Sequence, residues 1–214
     1  MPSIHDAVVP HAGMRQRVNA KLMLWSVLGA VAVWVLLSNE VALLLDYPLF
    51  HSYRLQMVLD RALLIPHAMF GTFALIAGTL QFSSRLRQRR IALHRLMGRS
   101  YVVAVYGAAL TAFAISWGRP LLPGTLVQGL TWIVVTTVAW VLARNGHIAV
   151  HRQWVARSYA VTFTFVSLRV LSIWPAFWNL SDAASVMVIM GTTLASVLVA
   201  DVIMNWRELR FGRA

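Results

Sequence analysis

The chain has 214 residues, 59% of them apolar and 12% charged, with a formal net charge of +12 and no cysteine. An ordinary globular domain is just under half apolar, so this composition belongs in a lipid bilayer. The lack of cysteine excludes disulfides, thiolate metal sites, iron–sulfur clusters and covalently attached c-type haem, and no Walker or GxGxxG sequence supports nucleotide chemistry.

Residues 1–20 read as a short basic cytoplasmic arm and 21–214 as a single transmembrane domain. A helix rises about 1.5 Å per residue, so about 20 mainly apolar residues cross about 30 Å of hydrocarbon. Six stretches meet that requirement, at 22–44, 62–83, 97–117, 122–143, 153–176 and 183–204. Runs this long without polar alternation exclude barrel strands, which predicts an all-α polytopic membrane bundle of six transmembrane helices. Arg15, Arg17 and Lys21 precede the first span as they would a secretory signal. The span is long, however, and Asn39 and Glu40 follow it where a small-residue cleavage site would stand, so it is expected to be retained.

The segment 45–61, with Asp46, His51, Arg54, Asp60 and Arg61, is too long for a tight turn and is expected to lie across the outer mouth. Arg85, Arg87, Arg89, Arg90, Arg95, Arg99, Arg144, Arg152, Arg157 and Arg207 all fall at one side of the predicted bundle. The positive-inside rule makes that side cytoplasmic, with both termini there and the protein in the inner membrane of the cell. Anionic lipid headgroups then account for the basic charge, and no nucleic-acid partner is needed. Gly71 with Gly78, and Gly98 with Gly107, are small positions that let helices approach closely.

Near the foot of the third span stands His94-Arg95-x-x-x-Arg99-Ser100-Tyr101. It recurs 57 residues later as His151-Arg152-x-x-x-x-Arg157-Ser158-Tyr159, and Arg87 precedes the first copy by the spacing at which Arg144 precedes the second. Spans two and three and spans four and five thus read as tandem two-helix parallel repeats, with corresponding residues at equal depth. Two imidazoles from facing helices are able to clamp haem iron, and Arg95, Arg99, Arg152 and Arg157 to pair with its propionates. Three readings of His94 and His151 stay open: ligands of haem b, structural hydrogen bonders at the interface, and members of a quinone or proton-relay site.

His67, directly after Pro66, lies inside span two, and Arg169 lies at a similar depth in span five, with Asp60 available to neutralise it. Together they suggest a second, outward-facing polar pocket. Asp201 is expected to pair with Arg99 or Arg157. No Ser-His-Asp order and no paired carboxylates at a common depth favour hydrolysis.

His67-x-x-x-Gly71, Gly78-x-x-Gln81-Phe82, Leu93-His94-Arg95-x-x-Gly98-Arg99-x-Tyr101, His151-Arg152-x-Trp154-x-x-Arg157-Ser158-Tyr159-Ala160 and Leu168-Arg169 follow one another in this order. The set resembles a family of predicted bacterial membrane proteins catalogued as domain of unknown function 2306, over roughly residues 60–207. Val155 stands where that family tends to have Met, and Asp201 where it tends to have Glu. The resemblance implies a six-helix inner-membrane protein and brings no activity with it. The function expected from the residues is binding of noncovalent b-type haem, or a quinone, in membrane electron transfer. The alternatives are an accessory subunit of a larger membrane complex and a small transporter using the His67 and Arg169 pocket, and the partner expected beside the lipid is another membrane protein or a second copy in a homo-oligomer.

Overall fold

The computed structural model describes residues 23, 26–41, 45 and 61–211. The arm 1–20 and most of the segment 45–61, including Asp60, lie outside the described residues. Among the described residues the regular structure is entirely helical. The first helix, α1, covers Ser26–Ser38 and passes into a π-helical turn over Leu36–Val41. It is followed by α2, Arg61–Gln81, α3, Ser84–Arg89, and α4, Ile91–Ser116. Then come α5, Leu122–Arg144, α6, Ile148–Leu171, α7, Pro175–Trp178, and α8, Asp182–Phe211.

Local chemistry sets the connections. Ser83 Oγ accepts from the Leu86 amide at 3.2 Å and starts α3. Gly118 and Gly146, at φ +70° and +78°, take the left-handed conformations that turn α4 into α5 and α5 into α6. Pro66 sits within α2 without interrupting it.

Among the described residues four helices are long and apolar enough to cross a membrane: Ala62–Gln81, Ile91–Ser116, Leu122–Arg144 and Asp182–Trp206. The sequence predicts six spans, and the other two behave differently. α1 is a shorter apolar helix. α6 has the length, with 24 residues, but carries Arg152, Arg157 and Arg169 together with Ser158, Thr162, Thr164 and Ser167. That polarity is accommodated because protein surrounds the helix: α6 packs on α2, α5 and α8, and α1 lays Val35 against its Val166. Hydroxyls that lipid leaves unsatisfied find partners there.

The helices are locked by aromatic rings seated on glycines. A Cβ at Gly78 of α2 would stand 2.5 Å from the Tyr159 ring and 3.0 Å from the Tyr101 ring. At Gly107 of α4 it would meet Phe70 of α2 at 2.7 Å, and at Gly129 of α5 it would run into Phe113 of α4. Between these seats Ala74, Ala77, Ala104, Val105 and Ala108 are buried, so α2 and α4 pack almost backbone to backbone. On the far side α6 is clasped to α8 by the Arg157 Nε to Asp201 Oδ1 ion pair at 2.7 Å. The outward side of α8, with Met187, Leu194, Leu198 and Ile203, is exposed and apolar, as a lipid-facing surface requires.

The Tyr159 ring cannot swing away freely, because its hydroxyl is held 2.6 Å from Thr79 Oγ1. Gly78→Ala is therefore expected to destabilise the detergent-solubilised protein by about 1–3 kcal/mol, the usual range for over-packing. Gly191→Ala, where a Cβ meets nothing within 4 Å, leaves the thermal midpoint unchanged or slightly higher. Equal midpoints for the two variants would remove the glycine seats as a constraint on this fold.

Candidate functional site

His94 and His151 each occupy the fourth position of their helices, α4 and α6, where the chain has just turned into the bundle. Both line one cavity of about 720 Å³ at the arginine-rich end of the molecule, between α2, α4, α5 and α6. The two imidazoles are within electrostatic reach of one another. His151 Nδ1 lies 2.7 Å from the backbone oxygen of Ala139, so it carries the proton and donates, which leaves Nε2 as the lone-pair nitrogen of the neutral ring. The Nδ1 of His94 is buried and has no hydrogen-bond partner.

The rim is strongly basic. Arg87, Arg95, Arg99, Arg144 and Arg152 line the cavity, and among the described residues no carboxylate does. Arg144 also lies over the Trp140 ring, 5.3 Å from its centroid, which keeps one guanidinium against an aromatic wall. The floor is different in kind: Gly78, Tyr101, Thr136 and Ser158 are buried. The cavity therefore grades from exposed guanidiniums to a buried, hydroxyl-lined end.

The residues singled out in the sequence separate into three groups. His94, His151, Arg95, Arg99 and Arg152 come together around the cavity. Arg157 does not join them: it is held by Asp201 and lies over Trp154, 4.9 Å from the ring centroid. The two copies of the motif thus place their arginines differently: Arg99 stands five residues after His94 but Arg157 six after His151, about 100° further round the helix, where Asp201 of α8 meets it. His67 and Arg169 lie away from this cavity. His67 Nδ1 is 2.9 Å from the Ala108 oxygen, with Thr111 Oγ1 at 3.3 Å, which pins α2 to α4. Arg169 lies over Phe165, 3.9 Å from the centroid, and Phe165 in turn rests on Gly71. Eleven residues of α2 separate His67 from Gly78, about 16 Å along the helix, so the two regions sit at different depths.

Sequence reasoning passed over Arg87, Arg144, Trp140 and the floor hydroxyls as site residues. Arg87 and Arg144 carried a readable signal, since each stands seven residues before a cavity histidine. Thr136 and Ser158 carried none, as hydroxyls at helical spacing in an apolar run read equally well as packing residues.

No curated protein and no solved structure matches the chain. A family model described as a predicted membrane protein, DUF2306, matches residues 64–204, a stretch that holds the cavity, its histidines and four of the helices around it. The chain belongs to the DUF2306 family of predicted membrane proteins.

Proposed function

We propose that this is an electron-transfer protein of the inner membrane that holds b-type haem noncovalently in the basic cavity. The observation that carries the reading is that His94 and His151, from different helices, line one cavity and each has a ring nitrogen free of protein partners. The donor set suits the group. The Ala139 carbonyl fixes the tautomer and orientation of His151 as an outer-shell partner of an iron ligand does. Arg95, Arg99 and Arg152 are placed to neutralise propionates, and Phe82, Trp140 and Tyr159 supply flat apolar walls. When bound, haem supplies one-electron chemistry through its iron. The chain's own part is to orient the imidazoles, balance the propionate charge and exclude water from the buried end.

The topology that goes with this reading has six crossings and cytoplasmic termini. α6 is one of them, shielded from lipid by its neighbours, and the cavity then opens towards the cytoplasmic leaflet. Arg85, Arg89 and Arg90 are exposed beside it and contact anionic headgroups.

The first test is an absorption spectrum of the purified protein, oxidised and dithionite-reduced, after expression with ample haem. The expected result is a Soret shift and a sharp α band on reduction, both absent in His94→Ala and in His151→Ala. A wild-type spectrum without those bands overturns the reading. The arginines give an independent comparison. Removing both Arg99 and Arg152 is expected to weaken haem retention at least about tenfold, or about 1.4 kcal/mol. Arg157→Ala, whose charge is already matched by Asp201, lowers thermal stability with the spectrum intact.

A further inference from the structure

The floor of the cavity contains a chain of hydroxyls whose hydrogens have two self-consistent arrangements. Thr136 Oγ1 is 2.7 Å from Ser158 Oγ, Ser158 Oγ is 2.7 Å from Tyr101 Oη, and Tyr101 Oη is 2.7 Å from Thr162 Oγ1. At the far end Trp132 Nε1 donates to Thr162 at 3.0 Å, and the Ser158 backbone oxygen, 3.0 Å away, accepts from it. Each hydroxyl has one proton to give, so the choice at one link fixes the next.

If Thr162 donates to the Ser158 backbone oxygen, Tyr101 must donate to Thr162, Ser158 to Tyr101 and Thr136 to Ser158. Thr136 is then left with an empty lone pair. If instead Thr162 donates to Tyr101, the order reverses through Ser158 and ends with Thr136 holding a proton it has no protein acceptor for. The Ser158 backbone oxygen keeps its helical amide in either case, and Trp132 serves Thr162 in both. Turning the chain over thus strands no group at the closed end, and the change appears only at Thr136. Thr136, Ser158 and Tyr101 all line the cavity. Because the far end is closed by an indole N–H and a carbonyl, the chain conducts no proton onward. It is a recognition device that offers either a lone pair or a proton at one point.

We propose that this floor is a binding subsite for the ring oxygen of a quinone and of its quinol, a ligand group that accepts a hydrogen bond when oxidised and donates one when reduced. A site that reverses at little cost binds both forms with similar affinity, which suits a ligand that exchanges electrons in place. The inference rests on the cavity being a ligand site and not on haem being its occupant. The basic rim matches the partial negative charge of the second ring oxygen, and Trp140, Phe82 and Tyr159 match the ring faces.

The test is calorimetric titration of the detergent-solubilised full chain, prepared without added haem, with a short-tailed benzoquinone and, under anaerobic conditions, its hydroquinone. Both are expected to bind saturably with dissociation constants within about threefold of each other. Thr136→Val removes the open end and is expected to weaken both at least tenfold, while Thr136→Ser restores binding, which separates loss of the hydroxyl from loss of packing. Tyr101→Phe discriminates further. In the lone-pair arrangement it leaves the Ser158 proton without its acceptor, whereas in the reversed arrangement Thr162 turns its proton to the Ser158 backbone oxygen and only a lone pair of Ser158 is left empty, and a stranded donor is the more costly of the two. Quinol affinity should therefore fall about tenfold more than quinone affinity. No saturable binding, unchanged affinities in Thr136→Val, or equal shifts of both forms in Tyr101→Phe would overturn the proposal. The Soret band reports on haem separately, so failure of one reading is distinguishable from failure of the other.

Discussion

Tyr101 Oη on α4 stands 2.7 Å from both Ser158 Oγ and Thr162 Oγ1 on α6, and the arrangement of the bundle depends on that junction. α6 is the most polar of the long helices, and in hydrocarbon a hydroxyl without a partner costs several kcal/mol. Its hydroxyls are met from both sides: Tyr101 comes from α4, Thr136 and Trp132 from α5, and Gln128 of α5 reaches Thr164 at 2.6 Å. Such bonds contribute about 1 kcal/mol each in net terms. Their larger effect is on register, because a helix displaced by one residue would leave several of them unmade together.

The glycine seats follow from the same junction. For Tyr101 and Tyr159 to place their hydroxyls as they do, both rings must lie against α2, and only a residue without a side chain leaves room at position 78. The cavity forms beside this contact, between the last turn of α2 and the first turns of α4 and α6. Its histidines lie in those first turns and its floor is the polar junction itself. Site and fold are one construction, so changes at Tyr101 or Ser158 act on both.

Composition and span length were enough to read an all-helical membrane protein, and the ordered motifs around His94, His151 and Arg169 were enough to read the family. The meeting of His94 and His151 in one cavity was also foreseeable, since duplicated motifs at the feet of two spans point to a shared depth. Two features were less legible, for physical reasons. The length of the run 153–176 makes it one more span, although α6 falls short of the apolar character of the four long spanning helices and its arginines and hydroxyls are tolerated because other helices cover them. A repeated motif likewise suggests equal environments, yet the one extra residue between His151 and Arg157 turns that side chain to Asp201 of α8, while Arg99, five residues after His94, lines the cavity.

That asymmetry bears on what the cavity holds. Asp201 is spent on Arg157 outside it, while five guanidiniums share the rim with no counter-charge from the described lining residues. Like charges brought together at the edge of a low-dielectric region repel, and the repulsion is relieved only by water, by salt or by an anion. Water and salt serve the exposed rim, but they do so least well at the depth where His94 Nδ1 is already without a partner. A neutral apolar occupant would deepen the cost by displacing solvent and supplying no charge. An occupant with negative oxygens towards the rim and a flat apolar body towards Trp140 and Tyr159 lowers it at both ends, which is the chemical character of propionate-bearing haem, whereas a quinone brings to the rim only the partial negative charge of a ring oxygen.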